Sequence, residues 1–359
     1  MRLQHLRLEN LRAFPRLELD LDPGWNVFVG ANGAGKTTLL EATYLLSHAR
    51  SFRSGPKEGL VRHGATGYSI FGRLQDRSAS PSAVGLARAG GRLEARVEGA
   101  EIPVAELLRH VAVVCFDPGS HELIAGPADL RRRFLDWGVF HVEPDFLATW
   151  RSFQRALKQR NAFLRNGAGT VELDAWDNEF AQSGTALAAM RARYMALLAP
   201  ALIAELAALL PELGASQVGL EQGWNAQAQL AEQLAATRDE DLRRGFSISG
   251  PHRADWTVAF EKAPRREHLS RGQEKLCALA CVLAQARVFA GHRGEWPVVC
   301  VDDLASELDG PHQESLVRSL AAVDAQILIT GTGKPQALQS AGVEAAWFHV
   351  EPGRVAALL

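Results

Sequence analysis

Residues Gly30 to Thr38 read GANGAGKTT, and no other stretch restricts the fold so tightly. The segment matches G-x-x-x-x-G-K-[ST], with the apolar run NVFVG entering it and a helix-like run leaving it. Each residue type answers a need of polyphosphate chemistry. Gly30, Gly33 and Gly35, with the small Ala31, Asn32 and Ala34 between them, let successive backbone N–H groups curl around anionic oxygens. A helix starting near Lys36 points the positive end of its dipole at the same anion. Lys36 reaches the β- and γ-phosphates, the Thr37 hydroxyl ligates Mg²⁺, and Thr38 completes the turn into the helix. The competing reading is a glycine-rich turn with a chance lysine; strand, loop and helix in one register argue against it.

The metal of such a loop needs a second carboxylate. VVCVDD provides it, four apolar strand residues followed by Asp302 and Asp303. Ligands of open α/β sheets bind at the carboxyl ends of strands, where this pair falls. Asp302 is the candidate Mg²⁺ ligand. Asp303 is the candidate catalytic residue beside Lys36, placed to orient or deprotonate an attacking water. Taken alone, the two acids also fit a helix cap.

The texture of the chain sets the frame around these motifs. LQHLRLENLRAFPRLELDLDPG alternates and ends in a turn, and Arg73 to Glu98 alternates again, which predicts antiparallel strands. Helix-like runs follow from Asp129 to Phe140, Pro144 to Asn166, Asp174 to Leu210 and Asn225 to Phe246. The last third alternates strand and helix, the pattern of a parallel sheet. The fold class is therefore α/β, a mixed sheet with flanking helices plus an antiparallel β part. Residues 1–120 and 246–359 form a discontinuous ATPase lobe, and 121–245 an inserted, mostly helical lobe. The apolar stretch LLAPALIAELAALL carries Pro200 and Glu205 and falls short of the ~20 residues that span a bilayer. No secretory leader opens the sequence, and Cys115, Cys277, Cys281 and Cys300 lack metal-ligand spacing. A cytoplasmic protein with reduced thiols and no membrane contact is expected.

LSRGQEK, Leu269 to Lys275, opens another helix. Ser270 and Gln273 are spaced for a capping box, which leaves Arg271 and Gly272 unexplained. Its place before VVCVDD, with SELD after, resembles the ATP-binding-cassette family, whose signature is L-S-G-G-Q. In that family two subunits face head to tail, and the signature of one covers the γ-phosphate on the other. The resemblance implies that Ser270, Gly272 and Gln273 contact a partner's ATP, so a complete site needs a homodimer. Transporter cassettes have a modest gap between loop and signature. Here it exceeds two hundred residues, broken by Pro127, Pro144, Pro200 and Pro211 and without sustained heptads.

ENLRAF, SFR, RRRFLDWG, LKQRNAFLR, SGPHRADW, LSRGQEK and DDLASELD together resemble the RecF family of bacterial DNA-repair ATPases, in order and over nearly the whole chain. The resemblance implies an ATP- and Mg²⁺-dependent dimer that binds gapped DNA or junctions of single and double strand. It further implies partners RecR and RecO, loading of RecA, and a weak, DNA-stimulated ATPase. Asp303 is one methylene shorter than the Glu of transporter cassettes, which agrees with slow hydrolysis. Thr330 or Thr332 stands where many cassettes place a γ-phosphate-sensing His. Gly119 and Ala254 stand where the family pattern leads to acids.

Net charge is only −2, so any DNA contact must use a local basic face. Candidates are Arg131, Arg132 and Arg133, then Arg151, Arg155 and Lys158, which share one helix face at i, i+4, i+7. Arg160 and Arg165 lie nearby, and Arg50 and Arg53 rank second. A solvated face with internal salt bridges accounts for these charges equally well. Arg12, after Asn10 and before the loop strand, is a nucleotide contact or part of an ordinary turn; Phe14 is an adenine stack or core. A transport-energising cassette and a nucleotide-switched scaffold without DNA contact are the competing functions.

Overall fold

The computed structural model describes residues 1–53, 57–76, 81–166 and 170–358. It has two compact units, Met1–Ser120 with Ala286–Leu359, and His121–Gln285. The first begins with β1 (Arg2–Leu11), β2 (Phe14–Asp20), β3 (Trp25–Val29), α1 (Lys36–His48), β4 (Gly67–Gln75), β5 (Ser82–Ala89), β6 (Arg92–Val97), β7 (Ala100–Ile102), α2 (Val104–His110) and β8 (Val113–Phe116). The second holds α3 (Glu122–Ala125), α4 (Ala128–Val142), α5 (Phe146–Asn166), α6 (Thr170–Leu209), β9 (Ser216–Glu221), α7 (Leu230–Arg244) and β10 (Asp255–Phe260). The chain returns within α8 (Arg271–Arg293) and ends with β11 (Val298–Val301), α9 (Leu304–Glu307), α10 (Gly310–Ala321), β12 (Ile327–Gly331), α11 (Gln336–Ser340), β13 (Ala345–Glu351) and β14 (Arg354–Leu358).

Two sheets build the first unit. One is antiparallel, in the order β2-β1-β4-β5-β6-β7. The other runs β14-β13-β3-β12-β11-β8 and is parallel apart from its β14 edge. Burial follows from composition. β2 buries Leu17 and Leu19 at alternate positions between exposed residues, as a one-sided strand does. β3, β11 and β12 are buried at every position, as strands covered on both faces are. α1 packs on both sheets, and its Leu39, Leu40, Leu45 and Leu46 join Leu3, Leu6, Leu8 and Phe28 in one core. With β12 between β3 and β11, the loop after β3 and the acids after β11 open at the same sheet edge.

In the second unit α6 runs 40 residues with Pro200 inside it. Residues Leu173–Leu209 of this helix are long and apolar enough to cross a membrane by length and composition alone, more than the shorter apolar stretch led us to expect. Its inward face is polar in part: buried Arg191 forks onto Asp136 at 2.7 and 2.9 Å and donates to the Pro251 carbonyl at 2.7 Å. That arrangement belongs to a packed helical core. The inserted region ends later than residue 245. β10 pairs with β9 along its length, and the Trp256 indole N–H donates to the Arg131 carbonyl at 2.9 Å. These bonds keep residues 246–285 with the second unit, so the boundary is corrected to 285/286.

Candidate nucleotide site

The loop after β3 has the backbone its glycines predict. Gly33 and Gly35 have φ of 81° and 110°, and Gly35 serves as the N-cap of α1. A Cβ on Gly35 would sit 2.8 Å from the Phe14 ring, and one on Gly30 would strike the Val350 carbonyl oxygen. Phe14 is fully buried under the loop, which makes it core and not an adenine stack. Lys36 is 8% exposed, and its ammonium donates to the Gly30 and Ala31 carbonyls at 2.7 and 2.9 Å.

Three hydroxyl and carboxyl groups meet beside it. The Thr37 hydroxyl donates to Asp302 Oδ1 at 3.0 Å, and the Thr330 hydroxyl donates to the same oxygen at 2.6 Å. Thr330 Oγ1 in turn accepts the Asp303 backbone N–H at 2.8 Å. Asp303 has φ of 54°, a left-handed conformation unusual for a residue with a side chain. Its Oδ1 is buried without a hydrogen-bond partner among the described residues. Burial pushes the Asp302 carboxyl above its ordinary range, with the Thr330 and Thr37 hydroxyls pulling the other way. Arg53 lies close enough for its charge to lower Asp302 as well, so SFR contributes a cation to this neighbourhood. Thr330, expected as a phosphate sensor, is fully buried and holds the two acids instead; Thr332 is exposed.

Arg12 is fixed from below. Its Nε and Nη2 fork onto Glu41 at 2.9 and 2.7 Å, and Nη1 donates to the Gly59 carbonyl at 2.8 Å. Glu41, on α1 and fully buried, also accepts from the Ser51 hydroxyl. Sequence reasoning did not single out Glu41; an acid on the buried face of the loop helix was the available signal.

The signature segment lies in the second unit. Its capping box is formed as expected: Ser270 Oγ accepts the Gln273 N–H at 3.3 Å, and Gln273 Oε1 accepts the Ser270 N–H at 3.0 Å. Gly272 is exposed, and the nearest atom a Cβ there would meet is Ser270 Oγ at 4.0 Å. The cap and the bare backbone thus coexist at one helix start.

The family model for the RecF/RecN/SMC N terminal domain matches residues 2–353. The DNA replication and repair protein RecF of Stenotrophomonas maltophilia (strain R551-3) is 45% identical over 364 residues, covering 100% of this chain and 100% of that protein. The chain belongs to the RecF family. The solved recombination mediator protein RecF-ATP in the RecFOR pathway superposes with a TM-score of 0.90 at 24% identity, over 100% of this chain and 98% of that one. The RecF-ATPrS form gives 0.87 at 25% identity, over 99% and 98%. The RecF fold, an ATPase head with an inserted lobe, is therefore the fold of this chain.

The basic residues of this RecF-family chain divide into two groups. Arg131 is buried; its Nε and Nη2 fork onto Asp255 at 2.7 and 2.8 Å, and Nη1 donates to the carbonyls of Leu123, Ile124 and Gly126. Arg160 is fully buried, bound to Asp177 and Asp241, both at 2.6 Å, and to Ser247 at 2.7 Å. Their donors are turned inward, so both are corrected to structural residues. Arg132 is half-buried and donates to the Ala254 carbonyl at 2.8 Å. Arg133, Arg151, Arg155 and Lys158 are exposed, with Arg133 on Asp129 and Arg155 on Glu179 at 3.2 Å.

Proposed function

We propose that the chain is an ATP-dependent DNA-binding protein of recombinational repair. It dimerises on ATP, binds gapped DNA or strand junctions, and supports RecA loading together with RecR and RecO. Hydrolysis is slow, stimulated by DNA, and serves as a switch. The observation that carries the nucleotide part is the meeting of Thr37, Thr330 and both acids at one sheet edge, beside a loop in which a Cβ on Gly30 or Gly35 would clash.

The residues fit Mg–ATP. Thr37 and Asp302 supply hard oxygen donors, the kind Mg²⁺ takes. The cradle amides from Gly30 to Thr38 and the Lys36 ammonium would hold the phosphates. When bound, the metal neutralises charge on the phosphate oxygens. The buried Oδ1 of Asp303 would hold the proton of a water at that edge. Arg53 would add positive charge, and Ser270, Gly272 and Gln273 of a second copy would close the site. Arg132, Arg133, Arg151, Arg155 and Lys158 remain as DNA contacts to phosphate, without base selectivity.

The test is binding to a gapped duplex with and without ATP over a salt series. ATP should tighten binding, and log affinity should fall linearly with log salt. Lys36→Met should abolish the ATP effect. Absence of DNA binding at low salt would reject this reading in favour of a scaffold.

A further inference from the structure

The surface where α7 ends brings exposed apolar side chains and arginines together. Leu242 and Phe246 are 40% and 37% exposed, two of the few large apolar side chains that the described residues leave in solvent. α7 stops at Gly245, a left-handed cap with φ of 73°, and this turn throws Phe246 outward. The Arg253 guanidinium lies over the Phe246 ring, 5.4 Å from its centre. A Cβ on Gly245 would come within 3.1 Å of Arg165 Cγ, so the Arg165 stem from the end of α5 rests against the cap.

Arg165, Arg243 and Arg253 are all exposed, and among the described residues none of them makes an ion pair. Arg244 is taken by Glu240 at 2.6 Å, and Asp241 is buried against Arg160. The patch is therefore cationic around an aromatic ring. Arginines in the last turn of a helix also complement its dipole. That accounts for Arg243 and Arg244, but not for an exposed phenyl ring, nor for an arginine from a separate turn laid across it.

We propose that Phe246, backed by Arg253, is a stacking platform for an unpaired base of single-stranded DNA, with Arg165 and Arg243 taking the flanking phosphates. The proposal rests on the DNA-binding reading above and names the part of a gap that this patch engages. Any base presents a π-face, so a ring with a stacked guanidinium binds single strands with little sequence preference. A paired duplex keeps its bases stacked on one another and offers the ring nothing, whereas its phosphates remain open to the arginines. Phe246 should therefore separate single strand from duplex.

The experiment compares a labelled oligothymidylate with a fully paired duplex of equal length, using the full-length protein. Phe246→Ala should weaken oligothymidylate binding about 5- to 150-fold, the value of one base–aromatic stack, and leave duplex binding within about two-fold. Phe246→Trp should keep the single-strand affinity. Far-UV circular dichroism and the thermal midpoint confirm that each variant is folded. A folded Phe246→Ala protein that binds oligothymidylate as wild type does, or that loses both probes equally, overturns the platform. Wild type binding both probes while the variant is unchanged removes the platform alone. Wild type binding neither probe overturns the DNA reading and the platform with it.

Discussion

At the scale of single residues, Thr330 carries the site's precision. Its one hydroxyl donates to Asp302 and accepts from the backbone of Asp303, and it is fully buried. Thr330→Val keeps the shape and removes both bonds. Groups that hydrogen-bond a metal's carboxylate ligand are typically worth about 10- to 100-fold in metal affinity, so Mg²⁺-dependent nucleotide affinity should fall by about that factor while Thr330→Ser recovers most of it. A Mg²⁺ titration of nucleotide binding measures this, and an unchanged profile in folded Thr330→Val would show that the acids hold themselves. His252 makes a second residue-scale case. Burial, with the charges of Arg253, Arg132 and Arg160, pushes it down to about 4 against its hydrogen bond to the Ser247 carbonyl. Its folded value lies below its unfolded one, so its contribution is fully present above about 6.5 and is lost as pH falls towards 4. A gap of that size amounts to roughly 3 kcal/mol. Denaturant midpoints of wild type should fall faster than those of His252→Gln across this window; parallel curves would refute the assignment.

At the scale of elements, α4 and α5 explain which charges the sequence disclosed and which it hid. In α4, Arg131, Leu135, Gly138 and Val139 are buried at helical spacing. The same stripe in α5 is Phe146, Phe153, Ala156, Arg160 and Leu164. Each arginine occupies an apolar position of its helix, and the stripe was readable; the prior that charge means surface concealed it. Arg151, Arg155 and Lys158, read correctly as one face, lie opposite that stripe and are exposed. The loop, the strand–helix alternation and the signature cap were legible because each is local chemistry. The partners Asp255 and Asp241 were not, since they come from distant parts of the chain and no spacing rule links them. Arg131→Ala should accordingly act on stability. Leaving Asp255 without its guanidinium partner and three carbonyls without this donor costs about 3–5 kcal/mol, and Lys cannot restore the forked geometry. Thermal unfolding of Arg131→Ala and Arg131→Lys checks this: both midpoints should drop. A normal midpoint with lost DNA affinity would return Arg131 to the DNA surface.

At the scale of the whole molecule, the chain holds one phosphate loop and one signature helix, each in a different compact unit. A capping box alone would start that helix equally well without Gly272, whose exposed backbone has no neighbour that needs it bare. An exposed helix N-terminus with open amides suits an anion, and a symmetric dimer brings one to each loop in pairs. The composite-site reading therefore separates two properties that a single-chain site would couple. Ser270→Arg places a bulky cation at the proposed subunit contact and leaves every residue of the loop intact. Nucleotide affinity of the isolated chain should stay within about three-fold of wild type, because no loop contact changes. ATP-driven dimerisation should be lost, since the bulk falls where the second copy closes. Asp303→Asn should do the opposite, keeping the fold of the site while slowing hydrolysis, so that ATP-bound dimers accumulate. Sedimentation velocity with and without ATP reads both variants. A Ser270→Arg chain that still dimerises on ATP, or an Asp303→Asn chain that stays monomeric with it, would place the signature helix outside the nucleotide site.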